Sequence, residues 1–246
     1  MKIILTGATG VLGSHIMYEI LELFIQKNSK NTLFIIARNK GKNSALDRIN
    51  ELLSSDYTPK ILKDKGLENL HDYLEIIDSD LADIQDTFSE KIKDAYFIHS
   101  AGYVNLSTDE DQKEKIFDEN AKITKAIFNT FHPFIKKFIY IGTAFSSGIR
   151  KGLIDNDFHN LDFTPEHRNA YEGAKFHSEN FIAQQCKKLG LPFQILRPSV
   201  IGGKMLGNES TYFIQKYMVF YLLAKFFHFT AQRKNEQENV RFIINE

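Results

Sequence analysis

The chain has 246 residues and 31 basic and 31 acidic side chains, so its formal net charge is zero. The length fits one large domain or one domain and a fragment, and 43% hydrophobic residues can fill a sizeable core, which excludes a disordered chain. The neutral balance disfavours nucleic-acid binding, because proteins that bind phosphate backbones are normally basic. A single cysteine, Cys186, excludes an internal disulfide and a cysteine-based zinc site, and we predict a reduced, cytoplasmic protein without a metal site.

Two apolar segments could be mistaken for targeting or membrane segments. The first, residues 1–5, is interrupted at once by Thr6 and Gly7, and no small-residue cleavage site follows. The second, residues 212–231, contains Lys216 and Lys225, so it offers no uncharged span of about 20 residues. We predict no signal peptide and no integral membrane segment.

Short apolar runs alternate with longer helical patterns along the chain. The predicted strands are residues 2–5, 33–37, 74–77, 95–99, 138–142 and 193–196. The predicted helices are residues 11–25, 45–53, 115–131 and 171–189. This alternation predicts an α/β fold of the Rossmann type, a doubly wound parallel sheet with helices on both faces.

A glycine-rich turn lies between the first predicted strand and the first predicted helix. Its spacing is Gly-x-x-Gly-x-x-Gly, not the Gly-x-Gly-x-x-Gly of many dehydrogenases. Glycines here allow a tight turn and the close approach of a dinucleotide pyrophosphate, which the helix N-terminus attracts. Ordinary strand-to-helix turns also use glycine, but the position directly after an apolar strand favours a dinucleotide site. The predicted cofactor-binding residues of this turn are Thr6, Gly7, Thr9, Gly10, Val11, Leu12 and Gly13.

The end of the second strand distinguishes the two nicotinamide cofactors. An acidic residue there would bind the ribose 2′-hydroxyl of NAD, whereas an arginine suits the 2′-phosphate of NADP. Arg38 follows the strand, Lys40 adds positive charge, and no carboxylate comes before Asp47, so the sequence favours NADP. The alternative is that Arg38 is a solvated loop residue.

The next two strand ends supply further candidates by their position. Two residues after the third strand could flank the adenine, and small residues after the fourth would leave room for a cofactor against the sheet. These candidates are Asp80, Leu81, Ser100, Ala101 and Gly102. We expect His99, at the end of the fourth strand, to be a packed or loop residue and not a catalytic one.

Tyr-x-x-x-Lys on a helix places a phenol and an ammonium group one turn apart, where the cation lowers the pKa of the tyrosine and prepares it for proton transfer. The motif occurs three times, as Tyr171/Lys175, Tyr212/Lys216 and Tyr221/Lys225, so the motif alone decides nothing. Only the first follows a strand that ends in a hydrogen-bond donor, Thr143, and precedes another strand. We therefore predict Thr143, Tyr171 and Lys175 as the catalytic triplet at the carboxyl edge of the sheet.

Together these features resemble the extended short-chain dehydrogenase/reductase superfamily. Within it the chain looks most like the thioester reductase-like group, which includes fatty acyl-CoA reductases and the reductase domains of carboxylic acid reductases and peptide synthetases. The segments that carry the resemblance are residues 5–13, 101–105, 169–175 with Glu179, and 190–192 leading to 196–202.

The resemblance implies functions for further residues. Arg38 and Arg48 would hold the NADP phosphate, and Asn120 would support the lysine through water. Pro198, Ser199 and Val200 would lie against the nicotinamide. The implied reaction is hydride transfer from NADPH to the carbonyl of an acyl thioester on coenzyme A or an acyl-carrier protein. The hemithioacetal would collapse to an aldehyde and a thiol, with a second reduction to an alcohol as an option.

The chain also departs from the pattern of this group. Ala101-Gly102 replaces the usual Ala-Ala, and Thr143-Ala144-Phe145 replaces a motif that usually ends in tyrosine. Family members normally continue well beyond residue 246, so we expect an NADP-binding domain over 1–203 and an incomplete substrate lobe over 204–246.

Two other functions use the same constellation of residues. One is a sugar-nucleotide epimerase or dehydratase, or a ketone reductase, of the extended type; Arg38 disfavours an epimerase, since epimerases usually have an acidic residue there. The other is a protein that binds NADP without catalysis.

Overall fold

The computed structural model describes residues 1–28, 30–78, 89–154, 165–201 and 220–232. The chain forms two compact units, Met1–Phe213 and Ile214–Glu246. The first unit contains the sheet and is described first.

A six-stranded sheet forms the centre of the first unit, and every pair of neighbouring strands is parallel. Its order is β3-β2-β1-β4-β5-β6, so the chain moves outwards from β1 to β3 and then crosses to the other side of β1. The predicted Rossmann-type α/β fold is therefore confirmed. The strands are β1 Lys2–Thr6, β2 Thr32–Ala37, β3 Leu74–Asp78, β4 Ala95–His99, β5 Ile135–Ile141 and β6 Phe193–Leu196.

Helices connect the strands. They are α1 Val11–Gln26, α2 Ala45–Leu53, α3 Lys60–Lys65, α4 Leu67–Leu70, α5 Ser89–Ile92, α6 Glu110–Phe117, α7 Ile123–Phe131 and α8 Ala170–Leu189. A π-helical turn, Asp118–Lys122, joins α6 to α7. The short helices α3, α4 and α5 were not predicted, because segments of four to six residues carry too few apolar positions for a periodic pattern.

Two predicted boundaries were wrong by more than one residue. The helix predicted over 115–131 begins earlier, at Glu110, because α6 buries only Ile116 and its charged residues show no apolar period. Strand β5 begins at Ile135 instead of residue 138. Its early lysines are compatible with a strand because their side chains reach across neighbouring strands: Lys136 Nζ lies 4.3 Å from the centre of the Tyr96 ring, and Lys137 Nζ donates to Gln194 at 3.2 Å.

Two hydrophobic clusters cover the two faces of the sheet. Ile3 and Leu5 of β1 belong to the cluster that contains α1 and α2, and Ile4 belongs to the cluster that contains α7 and α8. Cys186 is fully buried in the second cluster, although its neighbours in sequence are polar, because helical spacing after Ile182 turns it inwards. Burial raises the pKa of its thiol to about 12.

The second unit contributes helix α9, Phe220–Gln232. Several of its large apolar side chains, among them Leu222 and Phe227, are exposed. Across the described ranges, no helix is both long and apolar enough to cross a membrane.

Candidate active site

The glycine turn joins β1 to α1 beside the end of β4. Gly7 has a φ of +78°, and a Cβ added there would lie 2.6 Å from the backbone nitrogen of Ala101, so both conformation and space require glycine. A Cβ at Gly13 would lie 2.0 Å from the Gly7 carbonyl oxygen, so the glycine lets helix and turn pack closely. Gly10 is the N-cap of α1 and supplies no side-chain cap. The first turn of α1 therefore has no side-chain cap, and the pyrophosphate site assigned to these N–H groups stays a prediction.

Of the two arginines assigned to the cofactor phosphate, Arg48 reaches this turn with its side chain. The Arg48 guanidinium donates to the Arg38 carbonyl at 2.6 Å and to Thr9 Oγ1 at 2.8 Å. The side chain of Arg38 is 67% exposed, and its Nη2 lies 3.7 Å from Glu119 Oε2. The Arg48 guanidinium thus lies against the backbone of Arg38, whereas the Arg38 guanidinium lies near Glu119, and the phosphate site assigned to these two arginines stays a prediction.

Asp47, the first carboxylate after β2, is used locally. Its Oδ2 accepts from the Ser44 backbone nitrogen at 3.1 Å and from Ser44 Oγ at 2.7 Å, and Ser44 caps α2 in return. These hydrogen bonds hold the pKa of Asp47 below its ordinary value. Asp47 thus orients the helix that carries Arg48.

His99 is buried at the end of β4. Its Nδ1 lies 2.7 Å from Thr6 Oγ1 and its Nε2 lies 3.0 Å from Thr124 Oγ1. Burial, together with the charge of Lys175, lowers the pKa of His99 to about 3, so the imidazole is neutral. His99 therefore links β1 to α7 as a packed residue, as expected.

The small residues after β4 lie between the glycine turn and the predicted catalytic lysine. Ala101 contacts Gly7 and donates its N–H to Thr6 Oγ1 at 3.3 Å. A Cβ at Gly102 would lie 3.2 Å from both Lys175 Nζ and Asn120 Oδ1. The structure thus brings the glycine turn, the segment after β4 and Lys175 together. The other two candidates, Asp80 and Leu81, lie outside the described residues.

Asn120 lies in the π-helical turn and is buried. Its Nδ2 donates to the Tyr103 carbonyl at 3.0 Å and to the Ile116 carbonyl at 2.8 Å, and its Oδ1 accepts from the Tyr103 backbone at 3.1 Å. The amide is therefore fixed beside Lys175, and π-helical turns are frequent at functional sites.

Helix α8 carries Tyr171 and Lys175 on one face, and Asn169 caps its start by accepting from the Glu172 backbone at 3.0 Å. Lys175 Nζ donates to the Ile141 carbonyl at 3.1 Å. The same atom lies 5.0 Å from the ring centre of Tyr140 and 6.0 Å from that of Tyr171. The lysine is thus held at the end of β5, next to the predicted catalytic tyrosine.

The pKa values of this pair differ from the expectation. Burial lowers the pKa of Lys175, and Tyr171 partly opposes that change. Burial also raises the pKa of Tyr171; Lys175 lowers it, but by less, so the predicted net decrease was wrong for this structure. Tyr171 is consequently in its acid form near neutral pH.

Thr143 follows β5 and is buried. Its Oγ1 accepts from the Phe145 backbone nitrogen at 3.3 Å, which leaves its hydrogen to donate. The Ala144 backbone donates to the Pro198 carbonyl at 2.9 Å, so the segment after β6 runs beside Thr143. Pro198 is partly buried there, and Ser199 and Val200 are exposed.

Three buried residues near the triplet, and the partly buried Arg197, were given no role in the sequence prediction. Tyr140 lies under the ammonium group of Lys175, and Glu179 lies one helical turn beyond that lysine, with Ser146 and Arg197 bonded to its carboxylate. The spacing of Glu179 from Lys175 could have indicated a shared face of α8. Nothing local in the sequence indicates that Ser146 and Arg197 meet that face.

Residues 5–243 match the sequence model of the family described as Male sterility protein. The chain is similar to the terminal R domain from the myxalamid PKS-NRPS biosynthetic pathway, with a TM-score of 0.61 and 24% identity over 82% of this chain and 50% of that one. It is also similar to UDP-glucuronic acid 4-epimerase from Bacillus cereus in complex with NAD, with a TM-score of 0.56 and 22% identity over 82% of this chain and 57% of that one.

A third similar structure is the Aureusimine biosynthetic cluster reductase domain, with a TM-score of 0.58 and 17% identity over 84% of this chain and 51% of that one. The chain thus spans 50% to 57% of the length of these three structures, and at such identities the likeness supports the fold alone. No protein with a curated description matches.

Proposed function

The chain belongs to the male sterility protein family, within the extended short-chain dehydrogenase/reductase group of NAD(P)-dependent oxidoreductases, and on this premise we propose that it is an NADPH-dependent reductase of acyl thioesters. The thioester would be carried by coenzyme A or by a carrier protein, and the product would be an aldehyde or an alcohol. The observation that carries the proposal is the position of Lys175, whose Nζ donates to the Ile141 carbonyl, two residues before Thr143, and lies 6.0 Å from the ring centre of Tyr171.

The residues present fit NADP. Gly7 and Gly13 leave no room for side chains at the turn, and the first turn of α1 provides N–H groups for the pyrophosphate. Arg38 and Arg48 would hold the 2′-phosphate, and the segment 198–200 would lie beside the nicotinamide. When bound, NADPH supplies the hydride for reduction of the carbonyl carbon.

The side chains of the triplet would manage the carbonyl oxygen. Tyr171, whose pKa is raised by burial, would donate its phenolic proton to the oxygen as negative charge develops there. The ammonium group of Lys175 would stabilise the phenolate that remains, and Thr143 would donate a hydrogen bond to the same oxygen. Carbon–sulfur cleavage of the resulting hemithioacetal would then release the aldehyde and the thiol.

Apolar side chains near the same edge support an acyl substrate. Val104 and Leu106 follow β4, and Phe145 and Ile149 follow β5; all four are exposed although they are large and apolar. Exposed apolar side chains in the segments after these two strands suit a hydrocarbon chain better than a nucleotide-sugar, which needs polar partners.

The test is NADPH oxidation by the full chain with a panel of acyl-CoA and acyl-carrier-protein thioesters. We expect turnover with at least one thioester, and we expect Tyr171→Phe to remove it while NADPH binding is kept. Turnover of UDP-sugars without net NADPH consumption would instead identify an epimerase. NADPH binding without turnover, unchanged by Tyr171→Phe, would identify a cofactor-binding protein that does not catalyse the reaction.

A further inference from the structure

A buried carboxylate joins the three segments that carry the proposed active site. Glu179 on α8 has no exposed surface. Its Oε1 accepts from Ser146 Oγ at 2.9 Å, and its Oε2 accepts from Arg197 Nε at 2.9 Å. Glu179 thus connects the segment after β5, the helix that carries Tyr171 and Lys175, and the end of β6.

The end of β5 is shaped for this contact. A Cβ at Gly142 would lie 2.2 Å from Glu179 Oε1, so any other residue at position 142 would displace the carboxylate. Ser146 Oγ also lies 2.7 Å from the Thr143 carbonyl, so the hydroxyl couples the carboxylate to the residue that we propose as a hydrogen-bond donor. The carboxylate is therefore enclosed by backbone on the side of Thr143.

The ion pair between the fully buried carboxylate of Glu179 and the guanidinium of Arg197, which is 19% exposed, is not explained by stability alone. Taking a carboxylate and a guanidinium out of water costs as much as their attraction returns, and apolar residues of the same volume often stabilise a core equally well. Burial raises the pKa of Glu179, while Arg197 and the hydrogen bond from Ser146 oppose the rise. The charge of Glu179 in turn raises the pKa of Lys175 against the effect of burial.

We propose that Glu179 is a positioning residue that holds the Thr143 segment against α8, with its negative charge one helical turn from Lys175. This inference rests on the proposed reductase function, because it assigns Glu179 a place behind the triplet of that reaction. Glu179 itself lies behind Lys175 and Thr143 and acts through them.

The test compares Glu179→Gln with Glu172→Gln in the full chain. Glu172 is the matched control, because it is also a buried carboxylate on α8 with an ion pair, to Arg168 at 3.0 Å, but its partners precede the helix. Glutamine keeps the shape of glutamate and removes the charge. Two measurements are made: backbone hydrogen exchange of the peptide 142–148, and the pH dependence of kcat/KM for NADPH oxidation.

We expect Glu179→Gln to speed exchange in 142–148 by about tenfold, as for the loss of one charged hydrogen bond. Glu172→Gln should change it less, because its partner Arg168 reaches this peptide only over the Phe145 ring, at 5.3 Å. Reduction requires a protonated Tyr171 and a charged Lys175, and a nearby negative charge favours the protonated pair. Removing the charge of Glu179 should therefore shift the basic limb, the fall of kcat/KM at high pH, to a pH about 0.5 to 1 unit lower. Glu172→Gln should leave this limb in place. A merely structural role would change stability without moving this limb.

Ser146→Ala provides a second variant, since it removes one hydrogen bond to the carboxylate and keeps the charge. It should speed exchange in 142–148 and leave the basic limb unmoved. Equal exchange in the Glu179 and Glu172 variants, or an unmoved limb in Glu179→Gln, would overturn the inference. Hydrogen exchange can be measured without turnover, so it tests the positioning role of Glu179 even if the protein reduces no thioester. The absence of thioester reduction would count only against the proposed function.

Discussion

Substitution of Arg38 by alanine separates the two nicotinamide cofactors. The Arg38 side chain is 67% exposed, and its ion pair with Glu119 is long, at 3.7 Å. Exposed pairs of this kind contribute little to stability, so the free energy of unfolding should change by less than about 0.5 kcal/mol. A guanidinium that binds a 2′-phosphate contributes about 1.5 to 3 kcal/mol, which corresponds to roughly 10- to 100-fold in the dissociation constant.

The assay is a fluorescence titration of the full chain with NADPH and, separately, with NADH. Arg38→Ala should weaken NADPH binding by roughly 10- to 100-fold and leave NADH binding within about twofold, because NADH has no 2′-phosphate. Lys42→Ala is a matched control, since this lysine is also basic and exposed in the turn after β2. The control should change neither affinity.

The result that would refute this reasoning is a variant whose NADPH and NADH affinities fall together, or do not fall at all. An equal fall would mean that Arg38 acts on a part common to both cofactors. No fall would mean that Arg38 is a solvated loop residue, and that the preference for NADP has another source.

Three further predictions concern buried residues. Gly7→Ala should destabilise the fold by more than about 1 kcal/mol and abolish NADPH binding, because it places a Cβ 2.6 Å from the Ala101 backbone at a φ of +78°. Thermal unfolding measures the stability and calorimetry measures the binding. Unchanged NADPH binding would contradict the steric requirement for glycine in this turn. In the folded protein His99 has a pKa of about 3, so between pH 3 and about pH 6.5 only the unfolded chain binds a proton at this residue. The free energy of unfolding should therefore fall by up to about 1.4 kcal/mol per pH unit as the pH decreases through this range. Denaturant titrations at several pH values give the free energy of unfolding, and its decrease per pH unit should be smaller in His99→Gln. An equal decrease in both proteins would exclude His99 as the source. Cys186, whose thiol is buried with a pKa raised to about 12, should react with a thiol reagent only after unfolding, so rapid labelling of the native protein would contradict its burial.

The sheet could be predicted from the sequence because its strands are short apolar runs separated by helical patterns. Strands β4 and β6 and helix α2 have the predicted bounds. The early residues of β5 were missed because Lys136 and Lys137 interrupt the apolar pattern, and their side chains find partners only on neighbouring strands. Long-range partners of this kind have no trace in the local pattern.

The candidate site could be predicted in part. The turn at Gly7 needs glycine because of its own backbone conformation, so it is visible in the sequence. The catalytic functions assigned to Tyr171 and Lys175 stay predictions, although the structure places both at the end of β5. Ser146 and Arg197 could not have been found, because they meet Glu179 only after β5, α8 and β6 pack together.

The sequence by itself determined the strand–helix alternation, the glycine turn and the family, since each depends on residues close together along the chain. Tertiary structure alone decided that the guanidinium of Arg48 lies beside Thr9, that Asn120 and Lys175 meet across Gly102, and that burial outweighs the charge of Lys175 in setting the pKa of Tyr171. The physical reason is that desolvation and hydrogen bonding depend on every group packed around a side chain, and those groups come from distant parts of the sequence.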